Sequence, residues 1–250
     1  MGLGVGTGLT GRRLANLFAG MQAYVGASIM AMPALALDWT DALSWDAVFA
    51  TADFDNRTAF VAQGGKKQLS MPDEGAKMTL AFVSGVSLSD IARVRRGKLS
   101  VVEIDRYSRL LLGLERSAGP VYTAVAIGPS LALEKPAVRP GRQRFGVALD
   151  AQVWLRPDTA TYWAFALTGD TAARTLWARG RLGYRPEGWV MAAGPELGAA
   201  ADAQSGKTRV GLHLGEITLG PFRFDVATGR QWDTRRRAGS YATLAVVGRY

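Results

Sequence analysis

The chain contains no cysteine, so disulfides, thiolate metal sites and a cysteine nucleophile are all excluded. It has a single histidine, His213, which rules out a histidine-rich metal cluster. Beyond the first forty residues there is no apolar run of about 20 residues that would make a membrane-spanning helix. Helical i, i+3, i+4 stripes are also scarce. The 30 glycines weigh further against helices, since each costs a helix interior roughly 1 kcal/mol relative to alanine. Basic residues outnumber acidic ones, 30 against 21, but they are spread along the chain rather than clustered. That spread argues against nucleic acid as a partner and for basic side chains that line an interior or meet lipopolysaccharide.

The first part of the chain reads as an address. Arg12 and Arg13 precede a largely apolar stretch from Leu14 to Met32, and Ala34-Leu35-Ala36 follows as a small-x-small pattern. This order of basic, apolar and small residues predicts a signal peptide over residues 1–36, cleaved after Ala36, with a mature domain over 37–250. A retained anchor is the alternative. Cleavage takes away two arginines and no acid, leaving a mature net charge of about +7.

From Ser44 the sequence divides into segments of about ten residues separated by turn signals, the period of an outer-membrane barrel. In the segment 174–185, Leu176, Ala178, Gly180, Leu182 and Tyr184 fall on one face. Thr175, Trp177, Arg179, Arg181 and Arg185 fall on the other. Val210, Leu212 and Leu214 alternate with Arg209, Gly211 and His213, and Phe222, Phe224 and Val226 alternate with Arg223, Asp225 and Ala227. An apolar lipid face and a cationic lumen face satisfy all three.

Twelve strands are expected, at 43–50, 57–66, 76–88, 104–117, 120–132, 143–155, 160–169, 174–185, 188–199, 206–217, 220–232 and 239–250. The fold class is therefore all-β, an antiparallel transmembrane β-barrel, and the even strand number suits a single-chain bacterial barrel. Gly119-Pro120, Pro157-Asp158-Thr159, Pro186-Glu187-Gly188 and Gly220-Pro221 read as tight turns at one end. Longer links at Glu134–Arg142, Ala200–Ser205 and Thr234–Ala238 belong to the other end. Ile91–Asp105, with Arg93, Arg95, Arg96 and Lys98, reads as a basic loop leading into a strand. The last strand ends on Tyr250, like the signal read by the barrel-assembly machinery. A soluble periplasmic barrel or sandwich is the competing reading, because alternation alone does not say which face is wet.

The run Thr175-Leu-Trp-Ala-Arg-Gly-Arg-Leu-Gly-Tyr-Arg185, followed by Gly194-Pro-Glu-Leu-Gly198, resembles the central signature of the bacterial cellulose biosynthesis protein BcsS family. The ending Gly239–Tyr250 is similar to that family's last strand, and Leu111–Glu115 through Val125–Gly128 to an earlier hairpin. The likeness covers about Leu110 to Tyr250. It implies an outer-membrane protein tied to cellulose or related exopolysaccharide production, and it supplies no catalytic mechanism.

No catalytic, cofactor-binding or metal-binding residues are expected. His213 and Glu216 point to opposite faces of a regular strand, which argues against a Ser/His/acid hydrolase. Gly64-Gly65-Lys66-Lys67 lacks the strand-to-helix setting of a phosphate loop and reads as a strand end. The strand aromatics, Trp154, Trp163, Trp177, Trp189, Trp232, Tyr122, Tyr162, Tyr184 and Tyr241, suit interfacial girdles. A subset would instead line a path for sugar rings. The candidate lumen or glycan-contacting residues are Trp177, Arg179, Arg181, Arg185, Arg209 and Arg223. The expected function is to assist export or surface organisation of cellulose or a related polysaccharide from the outer membrane without enzymatic chemistry, with a periplasmic or secretion partner. A small anion-preferring pore and a barrel that anchors another envelope assembly are the alternatives.

Overall fold

The structure, a computed structural model, describes residues 45–249 except 56–57, 70–74, 93–99, 136–140, 159, 204 and 235. The expected signal peptide and its cleavage site lie outside the described residues, as does most of the basic loop after Ala92.

Twelve strands follow in order: β1 Ala47–Asp55, β2 Thr58–Leu69, β3 Ala76–Ala92, β4 Ser100–Ala118, β5 Val121–Lys135 and β6 Arg142–Leu155, then β7 Thr161–Asp170, β8 Thr175–Tyr184, β9 Ala192–Ala201, β10 Gly206–Leu219, β11 Phe222–Asp233 and β12 Arg236–Arg249. Each pairs antiparallel with its sequence neighbours, and β1 closes on β12 from Ala47↔Arg249 to Asp55↔Tyr241. Closure leaves no sheet edge, which a strand-built membrane domain requires because lipid cannot satisfy free backbone groups.

The alternation decides which face meets lipid. The outer face carries exposed large apolar side chains on strand after strand, among them Leu112, Ile127, Phe145 at 79% exposure, Phe165, Leu197 and Leu212 at 67%. The buried groups include Arg109, Asp170, Arg181, Glu196, Arg209, His213 and Asp225. A soluble barrel would bury the first set and expose the second, so the soluble sandwich or barrel reading is excluded by this inversion. A small apolar cluster of Val83, Leu111 and Ala148, with Phe49 and Tyr107 against it, also lies inside.

The links fall at the ends the sequence suggested but do not divide by length: Thr234–Ala238 was expected as a longer loop, yet β12 begins at Arg236 and leaves a two-residue link, against seven residues for 185–191 at the opposite end. Links 119–120, 156–160, 185–191 and 220–221 lie at the end where β1 begins and β12 finishes, and the links after β5, β9 and β11 lie at the other. These are the turn end and the loop end of the barrel, respectively. At the far end the β3–β4 hairpin is paired as far as Ala92↔Ser100, well beyond the roughly 9–11 residues that span a bilayer.

Several expectations need correction. The first strand is Ala47–Asp55 rather than 43–50, because the ladder to β12 continues to Asp55, where Asp53 and Asp55 meet cations from β10. The ninth begins at Ala192 rather than 188, which leaves Trp189 in the preceding turn. Gly64–Lys67 lies within β2, with Lys66 reaching Glu115, rather than at a strand end. Two more, the direction of Glu216 and the charge of the lumen, belong to the interior.

Candidate lumen site

The inner wall of β7 to β12 is built by period-two alternation, which sends Trp177, Arg179 and Arg181 of β8, Arg209 and His213 of β10, and Arg223 and Asp225 of β11 to one side. Arg185 lies one residue past β8, at the turn-end mouth, where its backbone N–H donates to the Ala160 carbonyl at 2.7 Å. The six candidate residues therefore line the same interior, but over its whole height. Trp177 is near the loop end of β8 and Arg185 beyond its turn end.

The expected cationic lumen is corrected to one of compensated charge. Arg181 Nε donates to Glu196 Oε2 at 2.5 Å, and Nη1 lies 3.9 Å from Asp225. Arg209 Nη1 donates to Asp53 Oδ2 at 2.5 Å, and Thr243 donates to the same oxygen at 3.3 Å. Lys207 pairs with Asp55 at 2.8 Å, Arg109 with Asp170 at 2.7 Å, and Lys66 with Glu115 at 2.6 Å. Arg223 lies 3.9 Å from Asp225. Burial enforces this pairing, since an isolated charge taken out of water loses far more than an ion pair does. Arg179 differs. Among the described residues it has no carboxylate partner, and its guanidinium lies 4.8 Å from the Trp177 ring centroid.

At the turn-end mouth the β10–β11 register shifts between Leu214 and Ile217, and Glu216 takes φ 60°. This bulge turns the Glu216 carboxylate inward, onto Arg156 and 3.7 Å from Arg185. The expectation that His213 and Glu216 point to opposite faces is thus overturned, because the extra residue resets the alternation between them. The direct partner of His213 is nonetheless Tyr162, whose hydroxyl is hydrogen-bonded to Nε2 at 2.7 Å.

The aromatics divide between the two faces. Trp163, Tyr184, Trp189 and Trp232 are exposed, in keeping with a girdle. Tyr162 and Tyr241 are buried inside, which the girdle reading did not anticipate. Each lies flat on the wall because glycine stands beneath it. A β-carbon on Gly183 would come 2.1 Å from the Tyr162 ring, and one on Gly211 would come 2.3 Å from the Tyr241 hydroxyl. Tyr241 then donates to Glu196 Oε1 at 3.2 Å, and the Arg209 guanidinium stacks 4.9 Å from its ring centroid. Trp154 stacks on Tyr162 at 5.3 Å and receives Arg223 at 5.2 Å. Arginine thus sits against both interior tryptophans, Trp177 being flanked by Arg179 and, at 5.7 Å, Arg209.

Glu196, Asp53, Tyr162 and Tyr241 were missed as lumen groups. Their partners lie on neighbouring strands, and the available signal was the glycine placed across the strand from each tyrosine.

The wall offers alternating donors, acceptors and aromatic edges along one interior surface.

Residues 75–250 match the family model described as cellulose biosynthesis protein BcsS, a longer stretch than the signature segments alone. No curated relative matches the sequence. Among solved structures, an outer membrane channel from Pseudomonas putida F1 is similar over 84% of this chain and 97% of its own, at 10% identity and a TM-score of 0.50. LpxR from Salmonella typhimurium is 8% identical over 82% of this chain and all of its own, with a TM-score of 0.47. The KdgM porin is also 8% identical, over 82% and 99%, with a TM-score of 0.45. The first of these likenesses shows the fold, a bacterial outer-membrane barrel.

Proposed function

Since the chain belongs to the cellulose biosynthesis protein BcsS family and is a barrel of the bacterial outer membrane, we propose that it assists passage of cellulose or a related exopolysaccharide to the cell surface. The observation that carries this reading is the compensated wall of β7 to β12. Ion-paired arginines and carboxylates keep unused donor and acceptor positions for hydroxyl groups. Because the charges are paired, they exert little net field, so a neutral polymer would be guided without being trapped. Trp177, Arg179, Arg181, Arg185, Arg209 and Arg223 are the proposed contacts, and no cofactor or bond-making step is required. Lipopolysaccharide would surround the outer face, and a secretion partner would dock at the periplasmic mouth.

Surface cellulose of a strain lacking the protein tests this reading. A deficit restored by the wild-type gene supports it, and unchanged export with normal surface display of the polymer sinks it. The anion-preferring pore gains less support, because most interior arginines are neutralised. Bilayer currents that lose anion selectivity in an Arg179→Ala/Arg181→Ala double variant would revive it. Co-purification with one fixed envelope complex, with export intact, would instead favour the anchoring role.

A further inference from the structure

We infer that the lumen holds a binding site for a single oxyanion at Arg179, in the loop-side half of the barrel. Three observations place it there. Arg179 faces the interior with its guanidinium over Trp177, and no carboxylate answers it among the described residues. Arg181 lies two residues along the same face and is paired to Glu196 through Nε, while its Nη2 is buried without any hydrogen-bond partner. Arg209 approaches the same tryptophan from β10, at 5.7 Å, with its own charge committed to Asp53. Arg179 therefore feels two neighbouring guanidiniums, and the local carboxylates are already engaged by those neighbours.

A half-buried guanidinium beside like charges is costly, and an oxyanion removes that cost by taking charge-assisted hydrogen bonds from the planar fork. Arginine is suited to this role because a carboxylate or phosphate can accept two parallel N–H bonds from it. The orphaned Nη2 of Arg181 supplies a further donor on the same face. Trp177 bounds the site with aromatic surface, which fits an acid group carried on a sugar ring. The saccharide part rests on the passage reading above, whereas the anion part does not.

The test uses the intact barrel in detergent or lipid nanodiscs and titrates three probes by calorimetry. These are a cello-oligosaccharide, the same oligosaccharide with its C6 groups oxidised to carboxylates, and inorganic phosphate. The carboxylated oligosaccharide is expected to bind at least about tenfold more tightly than the neutral one, a difference of about 1.4 kcal/mol. Arg179→Gln should abolish that preference, Arg179→Lys should retain much of it, and Arg116→Gln, on the exposed rim of β4, should leave it unchanged. Heat-modifiable migration checks that each variant is folded. Phosphate binding as tightly as the carboxylated sugar, and lost in Arg179→Gln, supports the site with a free anion as its ligand. Equal binding of the neutral and carboxylated sugars, no binding of either anion, or anion binding undiminished in Arg179→Gln overturns the inference. Failure of this kind leaves polymer passage to be judged by the export phenotype.

Discussion

Tyr162 and Trp163 are adjacent in β7, yet one is buried against His213 and Trp154 and the other is among the exposed residues of the outer band. The same contrast separates Gly183 from Tyr184 in β8. A single step along a strand changes the solvent of a side chain from lipid to the barrel interior, and with it the rule for what is tolerated. Outside, a side chain has only to be apolar or, at the rim, amphipathic. Inside, each group is fitted to a named partner on another strand.

This contrast is most sharply broken at Glu196, which is 0% exposed and accepts from both Arg181 and Tyr241. Glu196→Leu should destabilise the barrel by about 3–5 kcal/mol, because Arg181 is left buried without its partner. The double variant Arg181→Met/Glu196→Leu should recover most of that loss in urea unfolding. Leu197→Ala, one residue away on the lipid face at 60% exposure, should cost far less than the single Glu196 change.

Two glycines of one strand sharpen the point. Gly183→Val would drive a side chain into the Tyr162 ring and should cost about 1–3 kcal/mol, visible as weakened heat-modifiable migration. Gly180→Val, facing outward with no atom within 4 Å of an added β-carbon, should leave migration intact. Equal effects at both positions would contradict the assignment of faces.

The strand count, the turn-bearing end and the inward faces of β8, β10 and β11 were legible in the sequence, because alternation and Gly-Pro or Pro-Asp turns are local signals. The pairing of Arg209 with Asp53 was not legible, since those residues are 156 positions apart and meet only when β1 closes on β12. Nor was the inward turn of Glu216. A bulge depends on the register of the neighbouring strand, and regular alternation assigns the residue to the wrong face. Tyrosines above glycines leave a trace in the sequence, but it becomes readable only once the cross-strand register is known.

A smaller effect is expected at the Tyr162–His213 contact. Tyr162→Phe keeps the ring over Gly183 but removes the hydroxyl from His213, and should cost about 1 kcal/mol in denaturant midpoint measurements. Tyr184→Phe on the outer face is the matching control, with little change expected.

The smallest effect lies outside the membrane, in the β6–β7 turn. There the N–H groups of Thr161 and Ala160 donate to the Asp158 carboxylate and hold its pKa below the usual value. A depressed carboxylate pKa contributes stability that is present above the unfolded value of 3.8 and is lost as pH falls through the folded value. Asp158→Asn should therefore lower the thermal midpoint slightly at neutral pH, and the difference should fade under acid conditions. A gap that widened in acid would reverse the assigned sign.

Blocking the lumen in living cells tests the central claim most directly, and the absence of native cysteine makes the experiment clean. Ala200→Cys faces the interior opposite Trp177 and Lys207, and Ala203→Cys lies in the exposed link after β9. Each is treated with a bulky, membrane-impermeant maleimide while surface cellulose is measured. Labelling Ala200→Cys is expected to reduce surface cellulose strongly, and labelling Ala203→Cys to leave it unchanged. Full labelling at Ala200→Cys with undiminished cellulose would contradict passage through this lumen.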